Sequence, residues 1–172
     1  MSNANQTNSG RKTPIQFHLN GNETAAFADP GANLLDVLRR GVGDLSPKYG
    51  CNQGTCGCCS VVIDGELKLS CLVLAETVDG SDINTTAGLQ PGEEPHPLQK
   101  AFMEGFAAQC GFCSPGMLMA AKALLDKNPD PSRDEVIEAI SGNLCRCTGY
   151  EPIVDAILVA ASELKTTSGR IT

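Results

Sequence analysis

Four of the chain's nine cysteines fall within ten residues, in "CNQGTCGCCS" from position 51, and Cys71 follows twelve residues after Cys59. Cys51, Cys56 and Cys59 make C-x4-C-x2-C, which with one later cysteine is the ligand spacing of a plant-type 2Fe–2S cluster. A loop with that task must bend around inorganic sulfide and turn backbone N–H groups toward it. Gly50, Gly54 and Gly57 give the freedom to do so, since glycine tolerates positive φ and has no side chain to obstruct the approach. Zinc favours C-x2–4-C pairs answered by a second matching pair, and Cys51, Cys56 and Cys59 fit that pattern poorly.

The other four form C-x2-C at Cys110 and Cys113 and C-x-C at Cys145 and Cys147. Each pair lies between two helical patterns, an internal echo of helix, cysteine pair, helix. Packing the two helix pairs together would bring both loops to one end and let four thiols converge. Cys113 just precedes Ser114 and Cys147 lies shortly before Pro152, both near helix N-termini, where free N–H groups and the dipole favour a thiolate. By spacing alone this second set is less clear, and a tetrahedral zinc ion would accept it. Nine is an odd number, so no disulfide scheme pairs every thiol. The polar start "MSNANQTNSGRKT" has no apolar h-region, so a reducing, cytoplasmic setting is expected, where cysteine clusters bind metals.

The elements that must position these thiols divide the chain in two. "IQFHLNG" alternates apolar residues up to Asn20-Gly21 and predicts a hairpin with "ETAAFADP" as its return strand. Asn33 is placed to cap a short helix, "LLDVLRR", that Gly41 stops. "SVVIDGELKL" predicts a second hairpin turned by Asp64-Gly65, and "DINTTAGL" a last strand. The stretch "AGLQPGEEPHP", with three prolines and two glycines, reads as a linker. Helices follow. "PLQKAFMEGFAAQ" (97–109) spaces Leu98, Phe102 and Phe106 four residues apart. "SPGMLMAAKALLDKN" has Ser114 at the N-cap and Pro115 at N1. "SRDEVIEAISGN" opens on a Ser132–Glu135 capping box, and "EPIVDAILVAASEL" has Pro152 near its start. The expectation is an α+β protein: a tail (1–13), a sheet domain (14–88), a linker (89–96), a four-helix bundle (97–165) and a second tail (166–172).

Composition excludes other functions. A net charge of −7, with 13 scattered basic residues, no Trp and few aromatic rings, argues against nucleic acid, which needs clustered Lys and Arg. No apolar run reaches the roughly 18 residues of a membrane span. There is no Ser-His-Asp arrangement, phosphate loop or dinucleotide fingerprint, so FAD or NAD would bind on another chain. His18 and His96 have no suitably spaced companions, and Met103, Met117 and Met119 read as core filler. Tyr49 and Arg146, beside ligand candidates, either tune a cluster or simply pack.

"KYGCNQGTCGCCSVVIDG", "SCLVLA", "QCGFCSPGM" and "NLCRCTGY" together resemble the small iron–sulfur subunit of the molybdenum hydroxylases, the superfamily of xanthine dehydrogenase and aldehyde oxidoreductase. The resemblance runs from about residue 14 to 165 and moves the second cysteine set from ambiguous to iron–sulfur. It implies a β-grasp ferredoxin-like domain followed by a four-helix bundle, carrying two 2Fe–2S clusters. One would sit on Cys51, Cys56, Cys59 and Cys71, the other on Cys110, Cys113, Cys145 and Cys147. It implies a large subunit with a molybdenum–pterin cofactor as electron source, and a medium subunit with FAD as the usual acceptor. The assembly would be a hetero-oligomer, of which a dimer of heterotrimers is one form. Gln109 matches the family glutamine that hydrogen-bonds the pterin.

Cys58 departs from the family pattern, which has a small residue such as Ala or Ser there. It is expected to be a buried packing thiol; the alternative is that it replaces Cys59 as a ligand. Rival functions are a flavin-free two-subunit enzyme donating to a cytochrome, a free-standing ferredoxin, and a structural zinc protein.

Overall fold

The computed structural model describes residues 11–168 except 91 and 93; most of the expected N-terminal tail and the last four residues lie outside the described residues. Five strands form one mixed sheet: β1 (Thr13–Leu19), β2 (Asn22–Ala28), β3 (Ser60–Ile63), β4 (Glu66–Leu69) and β5 (Asp82–Asn84), in the order β2-β1-β5-β3-β4. β1 and β5 run parallel, and the other pairs are antiparallel. Both hairpin turns form where the sequence puts them. Asn20 and Gly21, and likewise Asp64 and Gly65, take positive φ, the geometry of the tight turn that matches strand twist.

α1 (Leu34–Asp36) is short, capped by the Asn33 side chain, which accepts from the Asp36 N–H at 2.8 Å, and runs into a π-helical turn, Val37–Gly41. Its Leu34, Val37 and Leu38 pack on Ile15, Phe17, Val61, Ile63 and Ile83 to make the first core. Each such side chain contributes about 1.5–3 kcal/mol when fully buried.

Four longer helices follow: α2 (Pro97–Glu104), α3 (Ser114–Lys127), α4 (Arg133–Ile140) and α5 (Glu151–Ser168). α2 packs on α5, α3 on α4, and α3 also on β3. β3 is buried along its whole length. Val61 and Ile63 serve the sheet core while Val62 joins the helical core with Leu98, Phe102, Met117, Val136, Ile153 and Ile157. One strand thus ties the two halves together.

Some boundaries differ from the sequence expectation. α2 stops at Glu104 instead of running to 109, because Phe106 adopts φ +52. The Phe106 N–H donates to Met103 O and the Ala107 N–H to Phe102 O, the crossed pair that closes a helix with a left-handed residue. Phe106 and Met103 are therefore exposed, by 83% and 62%, not core. Cys113 is already αR, so α3 begins at Ser114 with Cys113 at the cap position and the Ser114 hydroxyl caps nothing. The last strand is three residues long, and Thr86–Gly88 turns as a 3-10 segment. The Ser132–Glu135 capping box is as expected.

Candidate metal centres

The loop from Cys51 to Cys59 curls its backbone around sulfur. Cys51 Sγ accepts the N–H groups of Gln53 at 3.4 Å and Thr55 at 3.2 Å, and Cys56 Sγ accepts that of Cys51 at 3.4 Å. The Thr55 side chain and these N–H groups pull the Cys51 thiol down to about 6. A Cβ at position 50 would lie 2.6 Å from Cys56 Sγ, so a side chain there would push that sulfur aside. Cys59 leads into β3 and Cys71 follows β4, so the antiparallel hairpin brings them together. Their thiols meet beside Leu35 with Tyr49 and Leu69 packed around, and burial pushes Cys59 up to about 11. Ser70 holds this corner, its N–H and hydroxyl both donating to Cys59 O.

The second set lies at the start of α3 and in the loop before α5. Cys110 and Cys147 are exposed, their sulfurs 3.6 Å apart. Cys113 and Cys145 are buried and their thiols touch; burial pushes Cys113 up to about 12. Burial also works against the Cys145 thiolate, but the Thr148 hydroxyl and nearby backbone N–H groups outweigh it and lower its pKa. The Cys145 N–H donates to Tyr150 Oη at 3.0 Å, and Tyr150 itself takes φ +71.

The eight thiols thus approach two by two: Cys51 with Cys56, Cys59 with Cys71, Cys110 with Cys147, and Cys113 with Cys145. Among the described residues no group of three or more His, Cys, Asp or Glu is disposed to hold a single metal ion.

The two loops are joined directly. The Leu144 N–H donates to Cys56 O at 2.9 Å. Asn143, 3% exposed, donates through Nδ2 to Gly57 O at 2.9 Å and to Ser60 Oγ at 3.4 Å. Gly116 of α3 completes the junction, since a Cβ there would stand 2.3 Å from Gly57 O. Cys58 lies at this seam, 6% exposed, with its Sγ 3.8 Å from Cys56 O. Its thiol also meets that of Cys56, so Cys56 touches both Cys51 and Cys58. Asn143, Thr148 and Tyr150 were not singled out from the sequence. Their signal was present in "GNLCRCTGY", where small polar and aromatic residues flank the cysteines.

Gln109 is exposed, beside exposed Cys110, in the loop after α2. His96 caps α2, its Nδ1 accepting the Leu98 N–H, and His18 lies near Asp82. Met117 and Met119 are fully buried. Tyr49 donates to Asp36 and lies under the Arg39 and Arg40 guanidinium groups; Arg146 is exposed.

Two family models cover nearly this whole architecture: a 2Fe-2S iron-sulfur cluster binding domain over residues 17–86 and a [2Fe-2S] binding domain over 85–158. The nicotinate dehydrogenase small FeS subunit of Eubacterium barkeri is 46% identical over 87% of this chain and 95% of its own length. The chain belongs to the small 2Fe–2S subunits of the molybdenum hydroxylases. Quinoline 2-oxidoreductase from Pseudomonas putida 86 contains a chain that superposes on this small subunit with a TM-score of 0.88, at 45% identity, covering 91% of this chain and 98% of that one. The aldehyde oxidoreductase of Megalodesulfovibrio gigas is 48% identical over 84% of this small subunit, which spans 16% of that longer protein. The same unit therefore occurs both as a separate chain and as part of a larger one.

Proposed function

We propose that this chain relays electrons from a molybdenum–pterin centre in a large partner subunit to FAD in a medium one. It would do so through two 2Fe–2S clusters, on Cys110, Cys113, Cys145 and Cys147 and then on Cys51, Cys56, Cys59 and Cys71. The observation that carries the reading is the two-by-two approach of the eight thiols. A 2Fe–2S group takes four thiolates over two irons, two to each, and supplies one-electron redox chemistry. A zinc ion needs four donors about a single point. The residues present suit the larger group. Gly50 leaves room beside Cys56, backbone N–H groups crowd Cys51, and the Ser114 hydroxyl beside Cys113 is buried with no partner among the described residues.

In this reading residues 14–88 form a β-grasp, ferredoxin-like domain, 89–96 the linker and 97–165 a four-helix bundle. The exposed pair Cys110 and Cys147, with Gln109 alongside, meets the molybdenum subunit, Gln109 reaching the pterin. Phe106, Phe112 and Met103 near them are exposed apolar side chains, the composition of a surface that a partner covers. The loop around Cys51 faces the flavin subunit. No helix among the described residues is long and apolar enough to cross a membrane.

The test is to purify the tagged chain with its natural partners and measure iron, acid-labile sulfide and EPR after reduction. About four irons per chain and two distinct 2Fe–2S signals of equal spin count are expected. About two irons, or zinc without sulfide, sinks the reading.

A further inference from the structure

Cys58 is the ninth thiol, in contact with that of Cys56, and its surroundings touch both sets. In sequence it stands between Cys56 and Cys59; in space it belongs to the buried apolar cluster that includes Cys113 and Cys145, with Cys56 packed against that cluster. A Cβ at Gly50 would lie 3.5 Å from both its Cβ and its Sγ, so little free space surrounds it on the ferredoxin-like side. Its S–H donates to Cys56 O at 3.8 Å, the same carbonyl that takes the Leu144 N–H at 2.9 Å. A thiol is a weak donor but a polarisable one, with the bulk of a small apolar side chain.

We propose that Cys58 is a positioning residue for electron transfer between the two clusters, a claim that rests on the two-cluster reading above. Its sulfur fills the dry seam between the thiolate sets and ties down the Cys56 peptide that bridges them. Electron tunnelling decays more steeply across empty space than through packed atoms, and alanine at this position leaves a void whose lining loses its contacts. One electron leaves one reduced cluster and reduces the other; Cys58 itself is neither oxidised nor reduced and holds no iron.

The test compares the unsubstituted complex with Cys58→Ala and Cys58→Ser, each purified with its natural partners. Iron content is measured first, then redistribution of an electron between the clusters after laser-flash reduction. Both variants should keep the iron and both EPR signals of the parent. Redistribution should slow about threefold or more in Cys58→Ala, the variant with the void. Cys58→Ser, whose hydroxyl restores a donor to Cys56 O and part of the lost volume, should recover part of the rate. An unchanged rate in Cys58→Ala reduces Cys58 to packing and overturns the inference, as does loss of one cluster in either variant, which would make it a ligand. Failure of the two-cluster reading is separate: it would appear in the unsubstituted complex as a missing signal.

Discussion

The backbone N–H of Leu144 donates to the carbonyl oxygen of Cys56 across 2.9 Å, so the residue before one proposed ligand, Cys145, is bonded to another, Cys56, in the opposite half of the molecule. Asn143 repeats the tie one residue earlier through Gly57 O and Ser60 Oγ. The two cysteine loops are therefore held to each other by one main-chain bond and by the Asn143 side chain.

Separate removal of thiols should separate the centres. Cys71→Ala is expected to abolish one EPR signal and Cys145→Ala the other, each leaving about two irons of about four. Loss of both signals from either single change would mean that the eight thiols do not divide as proposed.

Gly50→Ala should act like a ligand deletion although it removes no donor. Its Cβ would intrude to 2.6 Å from Cys56 Sγ. Iron should fall to about half while far-UV circular dichroism still reports the helices. Full iron content in this variant contradicts the close fit of the loop.

Asn143→Ala removes one of three donors to Gly57 O, which keeps the Ser60 N–H and hydroxyl. A cost of about 0.5–1.5 kcal/mol is expected, read by calorimetry as a lowering of Tm of about 2–4 °C for each kcal/mol in a chain of this size. Asn143→Asp should do no better, because a carboxylate has no N–H to offer. An unshifted Tm in both variants would show that the junction gains nothing from this side chain.

Phe106→Asp is aimed at the partner surface, since Phe106 is 83% exposed and supports no core. Both EPR signals should persist while recovery of the large subunit in a pull-down drops at least about tenfold, as expected when a charge replaces a central apolar contact. Undiminished recovery would move the docking face elsewhere.

The sheet-then-helices plan was legible because its signals are local. Asn20-Gly21 and Asp64-Gly65 specify tight turns, and Asn33 and Ser132 accept the N–H groups that cap their helices. Long-range facts were not legible. Nothing in "MEGFAAQ" reports that Phe106 would turn left-handed and face outward, because four-residue spacing marks a helix face whether or not the helix continues. Val62 looked like any strand residue; only the packing of α3 shows that β3 is covered on both sides. Asn143 acts across 86 residues of chain, and no local pattern carries such a distance.

That long reach bears on how the protein is made. By the time Asn84 has been synthesised, all four cysteines of the first set and all five strands are present. The clasp from Asn143 and Leu144 emerges from the ribosome much later. Domains fold as units from the N-terminus during synthesis, so the sheet half can form while its flank at Cys56 and Gly57 is still open, and the late arrival of the second half shuts that flank in.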